Sequence, residues 1–264
     1  MTSITPTPSV GTETGEPAPR PRRSWLWAVL ALVVVLGALA AAVWLLPVST
    51  ATQNEAFDDD IGQLVIEVTG SVTLVAGDHT ELTIGKEWVL GREPTVEMTN
   101  EGGLVRVNGQ CFWLAIRCDT NVSGTVASDA VIEVRTSAGA VEVRGATNGV
   151  DLETSAGSVQ ATDVTGPARL ITSAGNVVGT ITDGNVEAET SAGRIDLTVL
   201  GDFSSVSAST SAGDVDLTVT DDVYDVDADT SAGSVSIGVR TDPSAARQIF
   251  ADSSAGSITI KPAP

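Results

Sequence analysis

The chain has 264 residues and a formal net charge of −20, from 34 acidic and 14 basic side chains. A surface this acidic repels nucleic-acid phosphates, so we expect no nucleic-acid partner. Aromatic residues are only 4% of the chain while glycine occurs 26 times, a composition that favours strands and turns over packed helices.

The first 23 residues are rich in proline, threonine and glutamate and show no apolar periodicity. This composition predicts a disordered tail over residues 1–23. Arg20, Arg22 and Arg23 stand at its end, directly before an uncharged apolar run. Because basic residues flank the cytoplasmic end of a membrane span, the tail is predicted to be cytoplasmic.

The uncharged run over residues 24–46 predicts one transmembrane helix. At 1.5 Å per residue it is roughly 30 Å long, which matches a hydrocarbon core. Trp25, Trp27 and Trp44 mark its two interfaces. A cleaved signal peptide is the alternative, but its apolar core would be shorter, about 7–15 residues. We therefore expect a single-pass anchor in the cell membrane, with everything after it outside the cytoplasm.

Two regions are predicted between this anchor and the repeats described below. Residues 47–60, which include the three aspartates 58–60, are interpreted as a linker or stalk. Residues 61–130 alternate apolar and polar side chains, which is typical of strands with one buried face. They are predicted to be degenerate first coils or a small capping sheet of an ectodomain over residues 61–264.

The chain has only two cysteines, Cys111 and Cys118. Outside the cytoplasm, an even pair this close in sequence predicts a disulfide. A zinc site would need about four ligands, which two thiols and the lone His79 do not supply.

Residues 131–264 carry an internal repeat. Its steps are 18, 18, 18, 20, 20 and 23 residues. The tetrapeptide TSAG begins at six positions, with an SSAG variant at a seventh: Thr136, Thr154, Thr172, Thr190, Thr210, Thr230 and Ser253. A near-constant step of this length predicts repeated structural units that stack on one another.

Two positions after each motif glycine stands a β-branched residue: Val141, Val159, Val177, Ile195, Val215, Val235 and Ile258. Apolar and polar residues alternate on both sides of the motif, so each unit is predicted to be strand, corner, strand. A two-stranded unit is marginal alone, so we predict an all-β fold, a β-solenoid whose coils stack with these residues in one buried file. A right-handed parallel β-helix is favoured by the general handedness of crossovers; a triangular left-handed coil is the alternative.

The tetrapeptide is predicted to form the corner of each coil. Its glycine can take a positive φ, and its serine can cap backbone N–H groups and neighbouring serines. The predicted turn residues are Ser137, Gly139, Ser155, Gly157, Ser173, Gly175, Ser191, Gly193, Ser211, Gly213, Ser231, Gly233, Ser254 and Gly256.

Alignment of the repeats also predicts columns of opposite charge. The expected pairings are Arg135 over Glu153, Arg169 between Asp151 and Glu187, and Arg194 over Asp214. At the far end of the chain, Lys261 and Pro262 are expected to discourage further strand addition. The segment from Asp242 is expected to form one helical turn above the stack.

The membrane anchor, the weak leading strands and the repeated V-x-V-x-T-S-A-G-x-V-x-L units resemble the bacterial putative-adhesin domain of unknown function. The matching residues run from Val131 to Ile260, with a looser match back to about Val65. This resemblance implies a β-helical envelope protein with an adhesive or scaffolding role. It implies no particular binding residue.

No nucleophile elbow of the GxSxG type occurs, and a serine triad would depend on the single His79. We therefore predict a protein that is not an enzyme and needs no cofactor. Asp196 and Asp216, neighbours in one outward column, are the candidates for a metal site, with further acidity from Asp225 and Asp227. They motivate the alternative function, a calcium-dependent or polysaccharide-active enzyme that uses this acidic face.

The predicted function is a non-catalytic, membrane-anchored surface module that presents a rigid rod, as an adhesin or envelope scaffold. Its expected partners are the membrane, through residues 24–46, and an envelope, protein or polysaccharide partner that the sequence does not specify. A second copy of the chain is a further candidate partner.

Overall fold

The computed structural model describes residues 47–57, 61–89, 92–111 and 117–264, and a few helical positions before them, 29, 31–34 and 37. None of the helices in the described part of the chain is long and apolar enough to span a bilayer. The predicted tail and most of the predicted transmembrane segment lie outside the described residues, as do residues 58–60. All strands belong to one compact unit, Val48–Pro264.

The described residues of this unit form 22 strands. The first seven, which precede the tetrapeptide repeats, are β1 Ser49–Phe57, β2 Gln63–Val68, β3 Val72–Gly77, β4 Thr80–Val89, β5 Thr95–Glu101, β6 Leu104–Gln110 and β7 Arg117–Ala127. Those of the repeats are β8 Val131–Thr136, β9 Val141–Arg144, β10 Val150–Ala156, β11 Val159–Thr165, β12 Ala168–Ala174, β13 Val177–Thr182, β14 Val186–Ala192, β15 Ile195–Leu200, β16 Ser205–Ala212, β17 Val215–Val219, β18 Val223–Thr230, β19 Val235–Ile237, β20 Arg240–Thr241, β21 Gln248–Ala255 and β22 Ile258–Pro262.

The strands form two sheets of 11 strands each. Sheet A has the order β1-β4-β7-β3-β9-β11-β13-β15-β17-β22-β19, and sheet B has the order β20-β18-β21-β16-β14-β12-β10-β8-β2-β6-β5. Each coil gives one strand to sheet B, turns at its corner, and gives the next strand to sheet A. Strands of neighbouring coils within the repeats are parallel. The predicted all-β solenoid is confirmed; the hand of its coil stays a prediction.

The predicted buried file exists along most of the stack. The register places Val141 beside Val159, then Val177, then Ile195, then Val215, and all five side chains are fully buried. Facing them from sheet B are Ile132, Leu152 and Leu170, which are equally buried. Because inward residues alternate with outward ones in both sheets, the core is one continuous column between the sheets.

The strands before the repeats form both of the structures that were predicted as alternatives, first coils of the solenoid and a cap. Strands β2 and β3 form a coil that pairs in parallel with β8 and β9. Strands β6 and β7 form a second coil on its other side. The antiparallel strands β4, β1 and β5 close this end of the two sheets. The predicted stalk therefore differs from the structure, because Ser49–Phe57 pairs with β4 along its whole length.

At the far end of the stack, the coils are not arranged in the order in which they occur in the chain. The predicted order of residues in the buried file is therefore wrong at this end. Ile258 of the final coil lies between Val215 and Val235, so β21–β22 is inserted between the coils β16–β17 and β18–β19. Val235 is consequently at the end of the stack and 40% exposed. Lys261 and Pro262 belong to an inner strand. Contrary to the expectation, they therefore do not block strand addition at the end of the stack.

The segment after Asp242 is a turn and not a helical turn. The amide N–H of Ala245 donates to the Asp242 carbonyl oxygen at 2.9 Å. The amide and hydroxyl of Ser244 both donate to the Asp242 carboxylate, at 2.8 and 2.7 Å. These bonds complete a single tight turn, after which the chain enters β21.

Candidate functional site

The tetrapeptide corners carry the repeated chemistry of this protein, and their threonines form a ladder along the stack. Thr172 donates its hydroxyl to the Gly157 carbonyl oxygen at 2.8 Å, and Thr190 donates to the Gly175 carbonyl oxygen at 3.0 Å. The same bond recurs from Thr136, Thr154, Thr210, Thr230 and Ser253, at 2.7 to 3.2 Å. All of these residues except Thr230, which belongs to the outermost coil, are at most 6% exposed. Each buried hydroxyl thus ties one coil to the next.

The buried hydroxyls of the corners belong to these threonines, whereas the predicted turn serines lie at the surface. The first serine of the set, Ser137, is exposed, as are its counterparts Ser155, Ser173, Ser191, Ser211, Ser231 and Ser254. The alternation explains the difference, because the residue two positions after an inward side chain also points inward. In the third repeat this residue is Thr172, which follows Leu170.

The corner glycines allow the coils to approach closely. A Cβ atom added to Gly175 would overlap the carbonyl oxygen of Gly157, and one added to Gly193 would overlap that of Gly175. Their φ angles, 150° and 155°, also lie where side chains are rarely found. The close approach is what brings each glycine carbonyl within reach of the next threonine hydroxyl.

Replacement of Thr190 by valine tests the ladder. Thr190→Val keeps the shape of the buried side chain but leaves the partly buried Gly175 carbonyl oxygen without its hydroxyl donor. We expect a loss of about 1–2 kcal/mol in the free energy of unfolding, measured by urea denaturation. The neighbouring exposed change Ser191→Ala is the control and should lie within about 0.5 kcal/mol of the unmodified chain. Equal effects of the two changes would contradict the ladder.

The predicted acidic pair is on the outer face of sheet A. Asp196 and Asp216 are register neighbours on β15 and β17. Arg194 contacts Asp214 at 2.9 Å and Asp216 at 3.8 Å, so a basic side chain already lies against the acidic column. The described residues include no group of three His, Cys, Asp or Glu side chains placed to hold a metal ion.

The other aspartates of the predicted acidic face lie elsewhere. Asp225 and Asp227 are on β18 in sheet B, beside Gln248 and Phe250 of β21. The chain passes from sheet A to sheet B in the turn between β17 and β18, so acidic residues close in sequence are distributed over opposite faces. Tyr224, the aromatic residue nearest to them in sequence, is fully buried. Its hydroxyl donates to the Thr220 carbonyl oxygen at 2.6 Å, and burial raises the pKa of its phenol.

The carboxylate of Asp214 joins two coils and gives a pH-dependent contribution to stability. The amide N–H of Ser257 donates to its Oδ1 at 2.9 Å. This bond, and secondarily the charge of Arg194, lowers the pKa of Asp214 below its ordinary 3.8. A carboxyl with a depressed folded-state pKa stabilises the fold above its unfolded-state pKa, and the contribution disappears as pH falls through the folded-state value.

Asp214→Asn is therefore expected to lower the melting temperature at about pH 7 and to have little effect at about pH 2, where Asp214 is itself neutral. Asparagine retains the oxygen that accepts from Ser257, so the variant isolates the charge. Melting curves at both pH values check this expectation, with Asp196→Asn as the control. A melting-temperature difference between Asp214→Asn and the unmodified chain that does not change between the two pH values would contradict it.

The structure also locates the two cysteines and the single histidine that the sequence singled out. Cys111 and Cys118 are joined by a disulfide with a Cα–Cα distance of 6.0 Å. The bridge lies where the chain passes from β6 to β7, the place that a tetrapeptide corner occupies in the repeats. His79 is exposed in the bend between β3 and β4, remote in the chain from the tetrapeptide corners.

Basic residues on the outer face of sheet B form the columns that the repeats predicted. Arg135 contacts Glu153 at 3.6 Å. Arg169 lies 3.3 Å from Asp151 and 3.4 Å from Glu187. These residues are partly exposed, so each pair contributes only about 0–1 kcal/mol. The pairing prediction is confirmed.

A groove on sheet B escaped the sequence reasoning. It has a volume of about 520 Å³ and runs across several coils beside the looser turns, where Asn148, Pro167 and Asn185 stand. Its floor includes the buried Val150 and Ala168, and Arg169 lies along its wall. The sequence signal for this groove is the recurrence of turn-forming residues near the start of the sheet B strands. A search for catalytic motifs does not detect such a pattern.

The chain has similarity to solved structures and to a protein family. Two solved structures align with it: a putative cell adhesion protein from Clostridium sporogenes, 8% identical over 81% of this chain and 100% of that one, with a TM-score of 0.39; and a putative adhesin from Bacteroides fragilis, 12% identical over 81% of this chain and 97% of that one, with a TM-score of 0.34. No curated protein matches the chain. The family pattern described as Toastrack DUF4097 matches residues 63–261. Since this match covers most of the chain, including both sheets, the protein belongs to the Toastrack DUF4097 family.

Proposed function

We propose that the solenoid is a non-catalytic module that presents two extended sheets at the cell surface, as an adhesin or an envelope scaffold. The proposal rests on the structural role of the repeated residues. The recurring hydroxyls and glycines bind one coil to the next, as Thr190 does to Gly175. A motif used in this way extends a stiff stack, and its exposed serines have no histidine within the repeats to act as a base.

The outward faces are the surfaces that remain for a partner. Sheet B offers alternating arginine and carboxylate columns around Arg169, together with the groove at its turns. In this proposal the apolar run over residues 24–46 anchors the chain in the membrane, with the tail inside and the solenoid outside. The names of the aligned adhesin structures agree with such a role.

Sedimentation with envelope material tests the proposal. Purified full-length protein is mixed with an isolated envelope fraction of polysaccharide and membrane, and both the pellet and the released sugar are measured. We expect the protein to sediment with the envelope, to release no sugar, and to behave identically as an Asp196→Ala, Asp216→Ala variant. Protein that stays in the supernatant would contradict the adhesin proposal. Sugar release that the variant abolishes would establish the enzymatic alternative.

Calcium provides a second and simpler discrimination. Because Arg194 already lies against Asp214 and Asp216, a calcium ion at the acidic column would meet an opposing positive charge. We expect the melting temperature to be the same with and without millimolar calcium, with magnesium as the matched control. A calcium-specific rise that disappears in Asp216→Ala would show a site that the proposed function does not include.

A further inference from the structure

The final coil occupies a position that its place in the chain does not dictate. Strand β21 pairs with β16 on one side and β18 on the other, and β22 pairs with β17 and β19 in the same way. The inserted coil, Gln248–Pro262, therefore lies between two coils that are consecutive in sequence. The connection over residues 238–247 precedes it, and Ala263 and Pro264 follow it.

The two walls of this position are equivalent. Val206 and Val226 both pair with Ile249, and Val215 and Val235 both pair with Ile258. The walls are thus offset by the repeat step of 20 residues. Any coil with the general repeat pattern fits this position. The fit is therefore the same whether the coil comes from the same chain or from another copy.

The connection wraps around β18 of sheet B before the inserted coil begins. Strand β20 lies along one edge of β18, with Val223 beside Arg240, and β21 lies along the other edge. Between them the chain crosses from one edge of β18 to the other through the turn at Asp242, where residues 242–244 are exposed. If extended, the ten residues 238–247 would reach about 33–36 Å, enough to bridge two molecules.

Arg247 holds the entrance of the inserted coil. It contacts Asp202 at 2.7 Å and Asp222 at 3.4 Å, residues of the loops that lead into the two walls. It also donates to the Gly201 carbonyl oxygen at 3.3 Å and lies over the ring of Phe203 at 5.3 Å. One side chain therefore fastens the inserted coil to both of its neighbours.

We propose that the inserted coil is exchanged between copies of this chain, so that the position between β16–β17 and β18–β19 is an interface for a second copy. A released coil exposes Ile249, Ile258 and Ile260, which are at most 1% exposed in place. If the two walls closed on each other, that apolar face would remain uncovered. Insertion between the walls of a second molecule buries it again and restores strand pairing on both sides.

Two single-cysteine variants of the full-length chain test the exchange. Ser209 and Asp252 are opposite each other on β16 and β21, and adjacent strands are about 4.8 Å apart, within disulfide reach. Ser209→Cys protein and differently tagged Asp252→Cys protein are mixed, incubated and oxidised mildly, so that the native disulfide is kept. We expect a covalent heterodimer that grows with time and concentration. It should form about tenfold faster when both chains also carry Arg247→Ala, which removes the charged contacts at the entrance.

The matched control mixes Ser209→Cys protein with Asp229→Cys protein. Asp229 is on the far side of Asp252, about 10 Å from Ser209 and beyond disulfide reach in exchanged and unexchanged molecules alike. The double variant Ser209→Cys, Asp252→Cys should close within a single chain, which shows that the positions are compatible. A Ser209→Cys and Asp252→Cys mixture that gives no more heterodimer than the control, with and without Arg247→Ala, would overturn the proposal.

Discussion

Gly193→Ala is expected to destabilise the solenoid by about 3–5 kcal/mol, a large part of the 5–15 kcal/mol typical of a folded protein. The added Cβ would overlap the Gly175 carbonyl oxygen, which is backbone and cannot rotate away. It would also occupy a φ of 155° that side chains rarely adopt. Relief requires the two coils to separate, which breaks the bond from Thr190 as well. Urea denaturation followed by circular dichroism measures the loss.

Gly62→Ala is the matched control for this change. A Cβ atom added to Gly62 would have no other atom within 4 Å, and its φ is not left-handed. The same methyl group should therefore change the free energy of unfolding by less than about 0.5 kcal/mol. A Gly193→Ala protein as stable as Gly62→Ala would show that the corners are not in close contact.

Val177→Asn is expected to cost about 4 kcal/mol or more, while Val178→Asn costs less than about 1 kcal/mol. Val177 is fully buried between Val159 and Ile195, so the change removes apolar burial and places an amide in the core without partners. Val178, the next residue, is 40% exposed on the outer face. The measurement is the midpoint of thermal or urea unfolding for the two proteins.

Because the two substitutions are identical and adjacent, strand propensity and unfolded-chain effects nearly cancel. A clear difference between them thus reports the inward and outward alternation of β13. Equal destabilisation would contradict a strand with one buried face at this position.

The repeat was sufficient to predict the stack because its step is nearly constant. A constant step with the same inward residues fixes the neighbours of Val159 and Val177 and the contact between Arg169 and Asp151. The threonine ladder was not predicted, although the alternation of inward and outward residues implies it. Counting by two from Leu170 places Thr172 inward, where it is 2% exposed.

The order of the last coils could not be predicted from the repeat. Every coil presents the same pattern to its neighbours, so Ile258 fits beside Val215 as well as Val235 does. What favours insertion lies outside the repeat, in the contacts of Arg247 with Asp202 and Asp222 and in the stacking of Tyr224 on Phe203. The larger Ile249 and Ile258 are also buried inside, where Val226 and Val235 would bury less apolar surface.

The candidate acidic site illustrates a second limit of the sequence. The aligned repeats correctly made Asp196 and Asp216 neighbours and placed Arg194 beside them, but the direct contact of Arg194 with Asp216 depends on how its long side chain extends, which the repeat does not give. The groove beside Pro167 depends on how turns of several coils lie side by side. Such a feature arises from turn conformation, for which the repeat carries little information.

Cysteine pairing between coils tests the stacked architecture most directly. Ile171 and Glu189 are register neighbours on β12 and β14, and Glu153 lies one strand beyond Ile171. With strands about 4.8 Å apart, Ile171→Cys and Glu189→Cys are within disulfide reach, whereas Glu153→Cys and Glu189→Cys are about 10 Å apart and are not. The stack predicts rapid closure of the first pair and none of the second under mild oxidation. Closure of the second pair, or failure of the first in the folded protein, would contradict it.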